Sequence, residues 1–380
     1  MLDYETLRLL WWLLLGLVLI GFAVMDGFDL GVAILLPWVA RDDTERRIVI
    51  NSIGPVWDGN QVWLILGGGA AFAAWPPLYA TAFSGFYVAL FLVLAALILR
   101  PVGFDFRNKV DDVRWRRVWD TALFTAGFVP TLVFGVAFGN LLQGVPFHFD
   151  DELRVTYTGD FLLHLLNPFA LRTGLLSLAM LIMHGAVYLV IKTEGAIEAR
   201  ARRALAFGAP LTAVLFSVCG LWIAFGIDGY VVVEGAARDA ASNPLAKAVV
   251  REPGAWLANY RGQPWMLIAP ALGYVGAAGA YLLVRAGRPG LAFVGSAASV
   301  FGIVSTAGLS MFPFLMPSST DPRSSLTVWD SSSSQLTLFI MLIASVVVLP
   351  IVASYTVFVY RVLRGKITSH DIAERGPSLY

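Results

Sequence analysis

The feature that most constrains this chain is a succession of apolar stretches, each long enough to cross a lipid bilayer. A membrane-spanning helix needs roughly 20 mostly apolar residues. Such stretches run over about 9–37, 55–74, 79–100, 121–142, 162–191, 206–227, 264–284, 291–312 and 336–360. The pattern predicts an all-α, polytopic membrane protein of about nine transmembrane helices, as two four-helix-bundle-like halves plus one extra helix. The whole chain, 1–380, reads as a single integral membrane domain. Its composition excludes a soluble fold, since 58% of residues are hydrophobic and only 14% charged, against roughly 25% charged in soluble domains. Mean hydropathy is +0.72. A net charge of +1 offers no basic field for nucleic acid, and one cysteine, Cys219, rules out an intrachain disulfide framework or a multi-cysteine metal site. Asp3 and Glu5 precede the first apolar run in place of a basic start, so that run reads as a retained helix, not a cleaved leader.

Lysine and arginine set the expected orientation. The segments 38–54, 100–117, 192–205, 285–290 and the C-terminal tail carry 19 of the 27, and the opposite set carries 7, with Arg172 inside a helix. The first set is expected in the cytoplasm, with the N-terminus periplasmic and the C-terminus cytoplasmic. The second set includes 228–263 and the serine-rich 317–334, both expected as surface loops.

Ionisable residues inside apolar helices are costly, about 2.5–3.5 kcal/mol each on insertion scales, and mark interior or hydrated positions. Asp26 and Asp29 sit three apart on one face of the first helix, with Gly27 and Gly31 forming a GxxxG that admits a close neighbour. They read either as a proton-carrying pair or as carboxylates serving assembly. In the second helix, Asp58 follows Pro55 in the first turn, Gln61 lies one turn on, and Trp57 and Trp63 flank them. Asp58 reads as a helix-end charge favoured by the dipole, or as part of a narrow hydrated path walled by tryptophan. At 1.5 Å per residue, Asp58 lies roughly 5 Å deep, Asp29 about 12 Å and Asp26 about 17 Å. With Asp105 and Lys109 just outside the third helix, the order Lys109, Asp105, Asp58, Asp29, Asp26 forms a plausible proton ladder from the cytoplasm inward.

His184, deep in the fifth stretch, could relay protons, ligate haem iron or hydrogen-bond a neighbouring helix, the last being the commonest use of a lone intramembrane histidine. Arg172 is expected to pair with an interior carboxylate or carbonyl, and Arg100 to snorkel to the interface. Axial histidine pairs, HExxH and Cys/His clusters are lacking, so haem or metal ligation by this chain is not expected. Gly67-Gly68-Gly69 suits close helix packing better than phosphate binding. The residues alone admit a proton-coupled secondary transporter, an enzyme subunit with a proton path, or a purely structural subunit.

Longer motifs favour one family. Met25-Asp26-Gly27-Phe28-Asp29-Leu30-Gly31, the run from Gly54 to Trp63, Arg100-Pro101-Val102-Gly103-Phe104-Asp105-Phe106-Arg107, His184-Gly185-Ala186 with Lys192-Thr193-Glu194-Gly195, and Pro317-Ser318-Ser319 through Trp329-Asp330 resemble subunit II of cytochrome bd ubiquinol oxidases. The resemblance implies a chain that binds no haem and packs against a subunit I carrying haem b and haem d, or haem b only. It also implies a small single-helix subunit, a quinone in a structural role, membrane lipid as neighbour, and a bacterial inner-membrane location. The implied reaction is quinol oxidation coupled to reduction of dioxygen to water, with protons from the cytoplasm. In that family Asp58, Asp105 and Lys109 look like parts of the proton path. The resemblance leaves open whether Asp26, Asp29 and His184 conduct protons or only assemble the complex.

Overall fold

The computed structural model describes residues 2–159 and 163–374. Its helices are α1 (Tyr4–Val39), α2 (Asp43–Ile53), α3 (Trp57–Ala74), α4 (Pro76–Gly85), α5 (Tyr87–Leu97), α6 (Leu99–Phe106), α7 (Val113–Gln143), α8 (Pro168–Lys192), α9 (Gly195–Gly226), α10 (Ala258–Gly262), α11 (Ile268–Arg285), α12 (Pro289–Met311), α13 (Gln335–Val362) and α14 (Ser369–Glu374). Several begin at side-chain caps: Asp3 accepts from the Thr6 amide, Asp42 from Glu45, Asn167 from Ala170 and Ser334 from Thr337.

Among the described residues, eight helical segments are long and apolar enough to cross a membrane. The expected stretch missing from those eight is the second, α3, helical over 18 residues but diluted by Asp58, Asn60 and Gln61. The third stretch is bent at Phe86 and Ile98, so α4, α5 and α6 run on from one another with breaks. The fifth was expected from 162, which lies outside the described residues; α8 itself begins at Pro168. The sixth begins at Gly195, well before the expected 206, because the helix continues past its apolar part along a flank bearing Arg200, Arg202 and Arg203. Hydropathy cannot see such an extension.

Contacts sort the spans into two groups. Helices α1, α3, α5 and α7 form one, and α8, α9, α11 and α12 the other, joined through α1–α8 and α7–α8. Helix α13 leans on α1 and α3 and leaves most of its apolar surface uncovered, with Val346 64% and Phe358 62% exposed. The seam between the halves depends on the GxxxG. A Cβ on Gly31 would stand 2.0 Å from the Leu181 carbonyl oxygen, and one on Gly185 would meet the Gly31 backbone at 2.6 Å. Only hydrogen fits there. The triplet Gly67–Gly69 behaves otherwise: a Cβ on Gly67 or Gly68 finds only ordinary contacts and one on Gly69 finds open space. The close-packing expectation for it does not hold, because these glycines face no backbone.

The ends of the bundle differ. One end carries three two-stranded antiparallel sheets: β1 (Phe147–Phe149) with β2 (Val155–Tyr157), β3 (Asp228–Gly235) with β4 (Lys247–Pro253), and β5 (Phe314–Met316) with β6 (Leu326–Thr327). The 317–334 segment is not a surface loop, since Ser318, Ser324, Ser325 and Ser331 are fully buried. Hydroxyls there replace water as partners of the backbone, as when Ser325 accepts from the Ser318 amide and Ser331 donates to the Thr327 carbonyl. Arg8, also fully buried, reaches from α1 to the carbonyls of Arg238 and Ala240 and the hydroxyls of Ser242 and Ser332, tying two loops to the first helix. Buried Lys247 pairs with Asp330 at 2.9 Å.

The other end carries α2, α14 and an ionic network. Arg107 bonds Asp120 at 2.6 Å and Asp43 at 2.9 Å, and Arg46 reaches Asp120 at 2.8 Å. The network fixes α2 against the turn from α6 to α7.

Candidate functional site

Helix α1 directs two fully buried carboxylates, Asp26 and Asp29, toward α3 and α6. They meet different partners. Arg100, only 1% exposed, donates from Nη1 to Asp26 Oδ1 at 2.6 Å and to Gln61 Oε1 at 3.3 Å. Its guanidinium lies 6.0 Å from the Trp57 ring centroid. Asn60 donates from Nδ2 to Asp29 Oδ2 at 2.7 Å and accepts from the Tyr360 hydroxyl at 3.0 Å. The cluster therefore draws on α1, α3, α6 and α13. Asp26 Oδ2, Asp29 Oδ1 and Arg100 Nη2 are buried without a hydrogen-bond partner among the described residues. A cavity of about 10 Å³, lined by Arg100, Phe104 and aliphatic side chains of α1, α2 and α7, adjoins the guanidinium.

The arrangement corrects the snorkelling expectation for Arg100. Leaving an intramembrane carboxylate unpaired costs more than folding a guanidinium inward to meet it. Arg172 does find a carbonyl, but that of Pro168 in its own helix, and it lies over Trp222 at 4.4 Å instead of entering the interior.

The expected ladder divides in two. Asp58, Asp105 and Lys109 are exposed, and their side chains make no hydrogen bond or ion pair among the described residues. Asp26 and Asp29 are enclosed behind them, with Gln61 and Asn60 between. Trp57 stacks on Phe104 at 5.5 Å, while Trp63 lies against α1, where a Cβ on Gly21 would come within 2.8 Å of its ring.

His184 sits apart, between α1 and α12. Its Nε2 lies 2.9 Å from the Val24 carbonyl and its Nδ1 2.8 Å from the Ser296 hydroxyl. A carbonyl only accepts, so Nε2 carries the proton and Nδ1 faces the hydroxyl. Both ring nitrogens lie within hydrogen-bond distance of the protein, and the Ser296 hydroxyl also donates to the Phe293 carbonyl at 2.9 Å. Nearby, Phe28 stacks on Tyr188 at 4.1 Å, and the Tyr188 hydroxyl donates to the Ser52 carbonyl at 2.7 Å. Among the described residues no cluster of three or more His, Cys, Asp or Glu side chains is placed to hold a metal ion.

Asn60 and Tyr360 were not singled out from the sequence as site residues. Asn60 lies between Asp58 and Gln61 in the sequence, and that place was the available signal. Nothing in the linear sequence links Tyr360, 300 residues away, to those residues.

Comparison with known proteins places this geometry. Residues 7–363 match the family model of cytochrome bd terminal oxidase subunit II. The chain is 54% identical to cytochrome bd-I ubiquinol oxidase subunit 2 of Escherichia coli (strain K12), with both chains covered completely. It is 31% identical to cytochrome bd ubiquinol oxidase subunit 2 of Bacillus subtilis (strain 168), covering 96% of this chain and 98% of that one. The fold is similar to a chain in the structure of bd oxidase from Geobacillus thermodenitrificans, with a TM-score of 0.69 at 18% identity over 94% of this chain and 99% of that one. The chain therefore belongs to the cytochrome bd terminal oxidase subunit II family, multi-pass subunits of a bacterial inner-membrane oxidoreductase whose haem lies on a partner subunit.

Proposed function

We propose that this subunit supplies part of the proton-uptake path for dioxygen reduction at the haem-bearing subunit I. The observation that carries the proposal is the pair of enclosed carboxylates, Asp26 and Asp29, each with one oxygen lacking a partner among the described residues. Two carboxylates face one guanidinium, so taking up one proton brings the cluster to neutrality. A low-dielectric interior favours such a neutral state. Lys109, Asp105 and Asp58, all open to solvent in the chain, collect protons at the end that holds α2 and α14. The lysine and arginine bias makes that end cytoplasmic, with the N-terminus periplasmic and the C-terminus cytoplasmic. The polar turn with Asn60 and Gln61 then leads to Asp29 and Asp26. Protons drawn from the negative side across part of the membrane conserve up to about 2.3 kcal/mol per charge per 100 mV. By the same family reading, a single-helix third subunit and a quinone held in a structural role accompany the heterodimer; both would co-purify in mild detergent.

A scaffold role competes for two members. The Asp26–Arg100 ion pair and the doubly bonded His184 both hold helices together, and each would do so without moving a proton.

The test is Asp58→Asn, Asp29→Asn and the pair Asp58→Asn/Asp105→Asn in the assembled oxidase, measuring quinol-driven oxygen uptake and proton uptake with the haem spectrum as the assembly control. Slowed turnover with unchanged spectra is expected. Undiminished turnover and proton uptake in all three, with normal spectra, would overturn the path; loss of haem-bearing complex would support the scaffold.

A further inference from the structure

At the end of the bundle that bears α2, a groove of about 310 Å³ opens between the end of α1 and the first turns of α9. Trp38, Val39, Arg41, Arg200, Arg203 and Ala204 line it. Arg200 is already committed, pairing with Glu45 at 2.6 Å and donating to the Val39 carbonyl at 2.7 Å. Arg41 and Arg203 are exposed, and neither side chain makes an ion pair among the described residues. Of the three arginines lining the groove, Arg200 is neutralised by Glu45, while Arg41 and Arg203 have no ion-pair partner among the described residues. Trp38 is 72% exposed at its rim, an amphipathic ring of the kind enriched where membrane meets water.

An apolar stripe runs away from the groove along α9. Phe207, Val214, Val218, Leu221 and Phe225 are exposed, the last by 87%. Their spacings of seven, four, three and four continue the face that Arg203 begins, one turn before Phe207. A cationic, roomy recess thus passes directly into a bare hydrocarbon-facing ridge. Free phosphate or an acidic peptide would use the arginines and leave the ridge idle. A phospholipid uses both.

We propose that this groove is a binding site for the head group of an anionic phospholipid, held by Arg41 and Arg203 and flanked by Trp38, with its acyl chains along the exposed face of α9. The site is independent of the proton path and survives if that reading fails. Cationic side chains at a membrane surface each favour anionic lipid by about a factor of five, so removing two should weaken retention roughly 25-fold.

The experiment uses the complete oxidase complex, delipidated in mild detergent and re-equilibrated with phosphatidylglycerol or phosphatidylcholine. Bound lipid is counted by native mass spectrometry. Wild type is expected to retain phosphatidylglycerol over phosphatidylcholine, and Arg41→Gln/Arg203→Gln to lose that preference. Arg361→Gln/Arg364→Gln, an equal charge change at the end of α13, should keep it. Equal retention in both double variants overturns the proposal. A photoreactive phosphatidylglycerol on unaltered complex provides a second readout that needs no variant to assemble. It should label peptides containing Trp38 and Phe207. Labelling confined to other segments, or to a partner subunit, refutes the site.

Discussion

Arg100→Met tests whether the Asp26–Arg100 pair anchors the first half of the bundle. The two groups meet at 2.6 Å with side chains 2% and 0% exposed, so solvent screens neither. Removing the guanidinium strands Asp26 without its cation and leaves Gln61 Oε1 without its donor. Breaking a buried pair from one side costs about 3–5 kcal/mol, mostly through the charge left behind. The double variant Asp26→Asn/Arg100→Met removes both charges, and its cost should fall to about 1–2 kcal/mol, the scale of imperfectly met neutral hydrogen bonds. The stability of a multi-subunit membrane complex is read as a lifetime. At a fixed elevated temperature, loss of the haem absorbance band should be faster for Arg100→Met than for the natural sequence, by about 150- to 5,000-fold where the whole cost falls on the barrier. The double variant should recover most of that. Should the single variant be as long-lived as the natural complex, or the double variant decay as fast as two independent losses imply, the anchoring argument fails.

Three further outcomes follow from specific contacts. Gly31→Ala places a methyl 2.0 Å from the Leu181 carbonyl oxygen, and overpacking against backbone should cost about 1–3 kcal/mol or more and reduce the yield of assembled complex. Gly69→Ala meets nothing within 4 Å and should leave that yield unchanged or raise it, alanine being the better helix former. Burial opposes ionisation of Glu45, but the Arg200 guanidinium and the Arg41 amide outweigh it and hold the carboxyl below its ordinary value. Because the folded value lies below the unfolded one, near about 4.3, this contribution is complete above about pH 5 and vanishes as pH falls through the folded value. The difference in melting temperature between the natural chain and Glu45→Gln should accordingly close on acidification.

Much of this was legible because membrane folds expose their rules in one dimension. The long apolar runs located the spans, and the GxxxG at Gly27 and Gly31 pointed to the seam that α8 occupies. Acids in an apolar run cannot be neutral detail, so Asp26 and Asp29 stood out at once. What they pair with was not readable. Arg100 lies 74 residues from Asp26, and its position at a span end favoured the interface over the interior. Side-chain direction decided otherwise, and direction depends on how α6 bends away from α5 at Ile98. The Ser-rich segment misled in the opposite sense. Serine marks loops in water, yet here its hydroxyls satisfy buried backbone, a tertiary circumstance with the same linear signature.

The division of the acids also bears on where the path ends. Asp58, Asp105 and Lys109 are exposed, and on the helix that carries Asp58 so are Val62 and Ile65, by 50% and 70%. Helix α13, next to α3, is barely covered. Acyl chains cannot supply hydrogen bonds to a carboxylate set among such residues. A protein partner can, and this family has one. On the proposed path, the entry acids are therefore finished by subunit I, while the enclosed pair behind them takes Arg100 and Asn60 from this chain and keeps one oxygen of each carboxylate without a partner among the described residues. The isolated subunit in vesicles loaded with a pH-sensitive dye should then pass no more protons than protein-free vesicles, because the exit from Asp26 and Asp29 leads only into the partner. A leak abolished by Asp58→Asn would show instead that this chain carries a through-channel of its own.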